Sequence, residues 1–254
     1  MGTSGALLII GLVAAGIGAV LLFIGRRIQA KTNLLAKVPT VTASEVASLI
    51  PGEMIEVKGV IRCDTPLTAE LAQRACVYYS SRVVREYEHR RRNARGETVT
   101  SRRSETVAQN EQSTPFYVED SSGRVLVHPD GAEVDAQKLV DRFERNTAAL
   151  GPTISFGGIT LNLGGGDGTI GYRYEENVLP VDIPVYVLGV VQEGGTIGRP
   201  PPELKGRRFI ISYRSEEALR ESWGKRARWL GFSAVALFAL AVILFVAAVV
   251  TLVA

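Results

Sequence analysis

The chain has 254 residues, 46% of them hydrophobic and 22% charged, with a formal net charge of +3. That balance excludes an intrinsically disordered chain, and 26 glycines without a three-residue period exclude collagen. Two cysteines and two histidines exclude a disulfide framework and any multi-zinc module.

The apolar residues concentrate at the two ends. Gly5 to Gly25 holds no charged residue, and at ~1.5 Å per residue such a run crosses a ~30 Å hydrocarbon layer. Met1 to Ser4 is uncharged while Arg26 and Arg27 follow the run, the polarity of an uncleaved anchor rather than of a secretory signal peptide. Gly11, Ala15 and Ala19, with Ala14 and Gly18, form small-residue stripes expected to receive a second helix.

Pro51-Gly52 opens the central region as a turn, and Ile55 to Ile61 alternates apolar and polar residues as a half-buried strand does. Pro66 to Gln73 reads as a short helical or turn segment. Cys76 to Glu88, rich in Val and Tyr, reads as a long strand, with Glu97 to Ala108 as its antiparallel partner and Arg90 to Gly96 as the hairpin loop. Phe116 to Val118 and Arg124 to Val127 form a second hairpin about Asp120 to Gly123. Gln137 to Arg145 is predicted to be a helix, with Leu139, Val140 and Phe143 on one face. A Gly-rich stretch, Gly157 to Gly171, precedes two more strands, Val185 to Val191 and Arg208 to Ser212. Ser215 is placed to cap a last helix whose first turn carries Glu216 and Glu217. That helix runs through Trp223 into Leu230 to Ala254, a second uncharged run long enough to span.

The predicted fold class is therefore two transmembrane helices flanking one mainly-β soluble domain, a β-barrel or sandwich with α+β inserts. The expected divisions are a tail at 1–4, a transmembrane helix at 5–25, a juxtamembrane linker at 26–50, the domain at 51–214, a juxtamembrane helix at 215–229 and a transmembrane helix at 230–254. The basic residues flanking both runs lie on the side of the central segment. The positive-inside rule then places that segment in the cytoplasm and both termini outside, in an integral protein of a plasma membrane, expected to be bacterial. Arg26, Arg27, Trp223, Arg226, Arg228 and Trp229 are the predicted membrane-interface residues: cations for headgroups, and indoles that are apolar in body and wet at the N–H.

Gly166 to Gly171 matches G-x-G-x-x-G, but no helical pattern follows it, so a loop is expected rather than a dinucleotide site. His89, His128, Cys63 and Cys76 match no zinc spacing; no metal, cofactor or catalytic residue is predicted. Two reduced thiols are expected, Cys76 buried in its strand. Charge is the sharper signal. Residues 82–103 carry eight arginines against Glu86, Glu88 and Glu97. Arg90, Arg91, Arg92, Arg95, Arg102 and Arg103 are candidate ligands for an anionic surface. The possible partners are anionic lipid, an acidic protein and, least favoured without interleaved aromatics, nucleic acid; a solvated tip guarding an edge strand is the other reading.

The order of segments is also similar to that of a known family. Pro51-Gly52 is followed by Val57-Lys58-Gly59-Val60, then by Cys76 and Val83-Val84-Arg85. Thr114-Pro115-Phe116 with Glu119-Asp120, Tyr172-Arg173-Tyr174-Glu175, Leu179-Pro180, Val187-Leu188-Gly189 and Phe209-Ile210-Ile211-Ser212 follow in order. The chain resembles the GIDE family, whose extramembrane region is the BAM ("beside a membrane") domain of mitochondrial and chloroplast-envelope RING-type E3 ubiquitin/SUMO ligases. In those ligases a RING finger follows the second span and needs about eight Cys/His ligands for two zinc ions, whereas this sequence has four such residues. The resemblance therefore implies a RING-less, prokaryotic-type member. It carries over sensing or substrate binding, scaffolding at a membrane surface, or a part in a ligase system whose catalytic domain lies on another chain. A nucleic-acid-binding barrel is the remaining alternative.

Overall fold

The computed structural model describes residues 3–35, 38–92, 95–146, 153–156, 159–162, 168–204 and 207–253. It divides into two compact units, one holding the two terminal helices and the other Pro39–Arg214.

The helical unit pairs α1 (Thr3–Leu35) with α2 (Glu216–Val253). Each is long and apolar enough to cross a membrane, over Ile9–Arg27 and Arg228–Val250 respectively. Gly11, Ala14, Gly18 and Gly25 are buried, and Ala19 is exposed. The contact stripe thus follows a seven-residue repeat, the spacing of helices that cross at a shallow angle, rather than the four-residue one. A Cβ on Gly18 would lie 3.2 Å from the Phe238 ring and 3.4 Å from the Ala234 carbonyl, so the missing side chain lets the backbones approach. Ser215 Oγ accepts a hydrogen bond from the Ala218 N–H at 3.3 Å, the N-cap expected from the sequence.

In Pro39–Arg214 the strands are β1 (Met54–Arg62), β2 (Leu67–Thr68), β3 (Ala75–Arg92), β4 (Thr98–Ser113), β5 (Phe116–Asp120), β6 (Gly123–Val127), β7 (Glu133–Asp135), β8 (Gln137–Arg145), β9 (Thr153–Phe156), β10 (Ile159–Asn162), β11 (Thr169–Pro180), β12 (Pro184–Gln192), β13 (Thr196–Gly198) and β14 (Ile210–Ser212). Five of them close on themselves in the order β1-β5-β6-β13-β12, with β12 returning to β1. Numbered within the ring, that is 1-2-3-5-4-1, and the 3–5 contact, Val127 against Ile197, is parallel. This is the connectivity of the five-stranded Greek-key OB barrel. Its interior is filled by Ile55, Val57, Ile61, Phe116, Val118, Val125, Val127, Val187, Val191 and Ile197, the inward half of each alternating strand. Residues 39–50, expected as linker, belong to this unit: Val46 is fully buried against the barrel, and Thr40 bridges to Glu56.

β1 serves two neighbours, and Val60 pairs with both Pro184 and Glu119. At the adjacent Gly59 a Cβ would overlap the Glu119 carbonyl and lie 2.8 Å from Val118 Cγ1. Gly59→Ala is therefore expected to destabilise the unit by about 1–3 kcal/mol, as overpacking does. A thermal melt of Pro39–Arg214 checks this; an unchanged midpoint would mean that the strands do not close there.

The second sheet has the order β2-β3-β11-β8, with β4 also on β3. It is assembled from two insertions into the barrel, one between β1 and β5, the other between β6 and β12. Here one expectation is corrected: Gln137 to Arg145 is strand β8, not a helix. The register on β11 slips between Glu176↔Val140 and Asn177↔Lys138, leaving Leu139 in a bulge. A bulge turns two consecutive side chains to one face. Leu139 and Val140 both pack inward beside Cys76, Tyr79, Tyr172 and Tyr174, while Phe143, opposite Arg173, lies on the outer face with that guanidinium over its ring, so the i, i+1, i+4 spacing is split between the two faces of a strand. Residues 172–180 form most of β11, whose signal is the strict alternation Tyr172-Arg173-Tyr174-Glu175. Of the Gly-rich stretch, 157, 158 and 163–167 lie outside the described residues. Thr169 to Gly171 begin β11, so a strand and not a helix follows the G-x-G-x-x-G pattern.

Candidate functional site

The long hairpin β3–β4 carries the candidate arginines. Val- and Tyr-rich β3 alternates inward Val77, Tyr79, Ser81 and Val83 with outward Arg82 and Val84, and pairs with β4 from Tyr78↔Ser113 out to Arg92↔Thr98. Pairing continues to Arg92, so the connection is shorter than the expected 90–96. β11 accompanies β3 only as far as Tyr87. Beyond it, residues 88–92 and 98–102 form a two-stranded ribbon.

The ribbon sorts its cations by parity. Opposite residues of an antiparallel pair share a face: Arg90, Arg92 and Arg102 lie with Glu86 and Glu88 on one face, Arg91 and Arg103 with His89 and Glu105 on the other. All six candidate arginines are exposed. Arg102 Nη2 is 2.7 Å from Glu86 and Arg90 Nη2 is 3.9 Å from Glu88. Arg91, Arg92 and Arg103 have no carboxylate partner among the described residues. Val99, opposite Arg91, is half exposed.

Two arginines nearer the hairpin base are already committed. Arg82 is ion-paired to Glu175, and Arg85 Nη1 lies 3.0 Å from Glu105 and Nε 2.8 Å from Thr169 Oγ1. The outer face of the sheet is a chain of alternating charge. Arg82 meets Glu175; Lys138 joins Glu175 at 3.0 Å and Asp141 at 2.7 Å; Arg173 joins Asp141 at 3.1 Å and Glu86 at 3.4 Å. The Arg82 guanidinium, with Lys138 adding to it against partial burial, holds the Glu175 carboxyl below its usual range; Lys138 and then Arg173 do the same for Asp141. A depressed folded pKa stabilises above the unfolded value and stops doing so as pH falls through the folded one. The melting temperature of Pro39–Arg214 is thus expected to fall below about pH 4.5, from the model-peptide range of these groups, and less steeply in the Glu175→Gln/Asp141→Asn variant. Parallel pH profiles would remove the network from the acid response.

The inner face holds what the sequence reading missed. Glu176 is fully buried. Its carboxylate accepts hydrogen bonds from Leu71 N–H at 2.9 Å, Ala72 N–H at 2.6 Å and the Ser81 hydroxyl. The signal was available as parity, since Glu176 follows Tyr172 and Tyr174 on the apolar side of the alternation. Cys76 lies beside it, fully buried as expected; burial, then the Glu176 charge, pushes its thiol up to about 11. It stays protonated at neutral pH and unsuited to nucleophilic work.

In the helical unit Arg26, Arg27, Arg228 and Trp229 are exposed at the ends of the apolar segments, and Arg27 stacks 4.6 Å from the Phe23 ring centroid. Trp223 and Arg226 fall within α2, but their side chains lie outside the described residues.

The family profile GIDE, described as E3 ubiquitin ligase, matches residues 85–247. The chain belongs to the GIDE family. The matched stretch begins within β3, takes in β4, β8 and β11 of the second sheet and the barrel strands from β5 onward, and ends in α2. The GIDE match therefore covers the candidate arginines from Arg90 to Arg103 and the aromatic and basic start of α2. The chain matches no curated protein and no solved structure.

Proposed function

We propose that the chain is a membrane-tethered binding domain. α1 and α2 insert in the bilayer and the ribbon end of β3–β4 engages an anionic surface, lipid headgroups first and acidic protein second. The carrying observation is Arg91, Arg92 and Arg103 standing exposed without carboxylate partners among the described residues, with Arg91 opposite the half-exposed Val99. Insertion is supported by the outward apolar side chains of the helices: Leu12, Val20, Phe23, Phe232, Val235 and Phe245 are all more than half exposed, more continuous apolar surface than water tolerates. The cations bordering both segments favour a cytoplasmic domain with both termini outside, in a bacterial plasma membrane.

The family description favours a second reading, the partner-binding part of a ubiquitin-ligase-type system. These 254 residues hold four Cys and His in all, fewer than a RING requires, so the contribution of this segment there is recognition. A nucleic-acid role has less support. On the outer β5–β6 face, Arg62 pairs with Glu119 and Asp182 and Arg124 stacks on Tyr117 at 4.6 Å, an arrangement close to neutral.

Vesicle co-sedimentation of Pro39–Arg214 tests the proposal. Binding to phosphatidylglycerol vesicles that weakens with salt, and none to phosphatidylcholine, is the expected result. Equal sedimentation with both would sink it.

A further inference from the structure

We propose that α2 carries a site for one anionic phospholipid, formed by Lys225, Arg228, Trp229 and Phe232. The proposal rests on insertion of α2 and is independent of the hairpin. These four residues line a hollow of about 520 Å³. At about 100° per residue they fall in one ~100° sector of the helix, and at ~1.5 Å rise they span about 10 Å along it. Their order along the axis is the argument. Two cations come first, then an indole, then a phenyl ring, and the apolar segment begins at Arg228. A phospholipid presents the same order, with its phosphodiester at the polar boundary, its glycerol ester next and its acyl chain below.

The charges are placed to receive a phosphate. Arg228 is exposed and makes no salt bridge among the described residues, although its charge reaches the Glu221 carboxylate. Lys225 Nζ lies 2.6 Å from Glu221, one turn toward the polar end, and keeps 64% of its side chain exposed. An ammonium has three donors, so the Glu221 contact leaves two for a further acceptor. Trp229 and Phe232 are 75% and 74% exposed, an aromatic face that an acyl chain covers. The phosphate supplies affinity through the two cations, and the chain seats on the rings.

Native mass spectrometry of the intact chain in detergent tests this, with phosphatidylglycerol and phosphatidylcholine of identical acyl chains as probes. One phosphatidylglycerol should be retained in preference to phosphatidylcholine. Lys225→Gln/Arg228→Gln should weaken phosphatidylglycerol retention about thirtyfold, from the usual effect of two cations at a membrane surface, and weaken phosphatidylcholine, whose own trimethylammonium opposes the two cations, much less. Lys225→Arg/Arg228→Lys should restore the preference. Trp229→Ala should weaken both lipids, and glycerol phosphate, which lacks acyl chains, should not compete. Equal retention of the two lipids, indifference to the glutamine pair, or displacement by glycerol phosphate overturns the site. Loss of the preference in Arg90→Glu/Arg91→Glu/Arg92→Glu assigns it to the hairpin instead, with the same consequence. Carbonate-resistant flotation of the intact chain with vesicles reports insertion separately, so an inserted chain without lipid preference overturns the site alone.

Discussion

Glu176→Ala is expected to lower the stability of Pro39–Arg214 by about 3–5 kcal/mol, the range for breaking a buried charged hydrogen-bond cluster. In a unit of this size that corresponds to roughly a 10 °C drop in melting temperature. The carboxylate stands on the inner face of β11, opposite Ser81 of β3. It holds the turn before β3 through two backbone N–H groups and satisfies the Ser81 hydroxyl. Alanine removes the acceptor that these three donors share at a fully buried position, so a buried hydroxyl and two part-buried N–H groups lose it without compensation. Glu176→Gln keeps one acceptor oxygen and turns an amide donor toward those N–H groups, so about half the loss is expected. Ser81→Ala removes one donor and should cost about 1 kcal/mol, the ordinary worth of one hydrogen bond. Chemical denaturation of the three variants checks the order; a Glu176→Ala loss below that of Ser81→Ala would mean that the turn is not held through this carboxylate.

Arg90→Glu/Arg91→Glu/Arg92→Glu is expected to abolish vesicle binding by the same fragment. A basic side chain near an anionic membrane contributes about 1 kcal/mol. Removal of three therefore weakens partitioning about 150-fold, and three new carboxylates add repulsion. These residues lie on the two-stranded part of the hairpin, past the last β11 pairing at Tyr87, so folding should be intact. Arg82→Gln is the informative contrast. Its guanidinium is engaged by Glu175, so it should perturb stability more than binding. Unaltered partitioning of the triple variant would leave the arginines a solvated edge guard. Raised salt should weaken the wild-type interaction, since the surface field decays over a Debye length of about 8–10 Å.

The expected hairpins and the buried Cys76 strand are present because period-2 alternation and turn residues act over a few neighbours. The β8 segment misled because its apolar residues divide between two faces, Leu139 and Val140 inward through a bulge and Phe143 outward, and only its β11 partner reveals that division. The arginine cluster was legible as composition but not as a site. Glu175, which neutralises Arg82, lies 93 residues away in sequence, and strand parity then divides the remaining cations between two faces.

Composition and local period by themselves determined two apolar helices around a β-rich middle, because hydrophobicity and side-chain alternation are properties of short windows. Tertiary structure alone decided that five strands close into a barrel, which donors the buried Glu176 holds, and which arginines remain without carboxylates. Each of those depends on residues distant in sequence meeting across a sheet, and no local pattern encodes which distant partner will fill a strand's open edge.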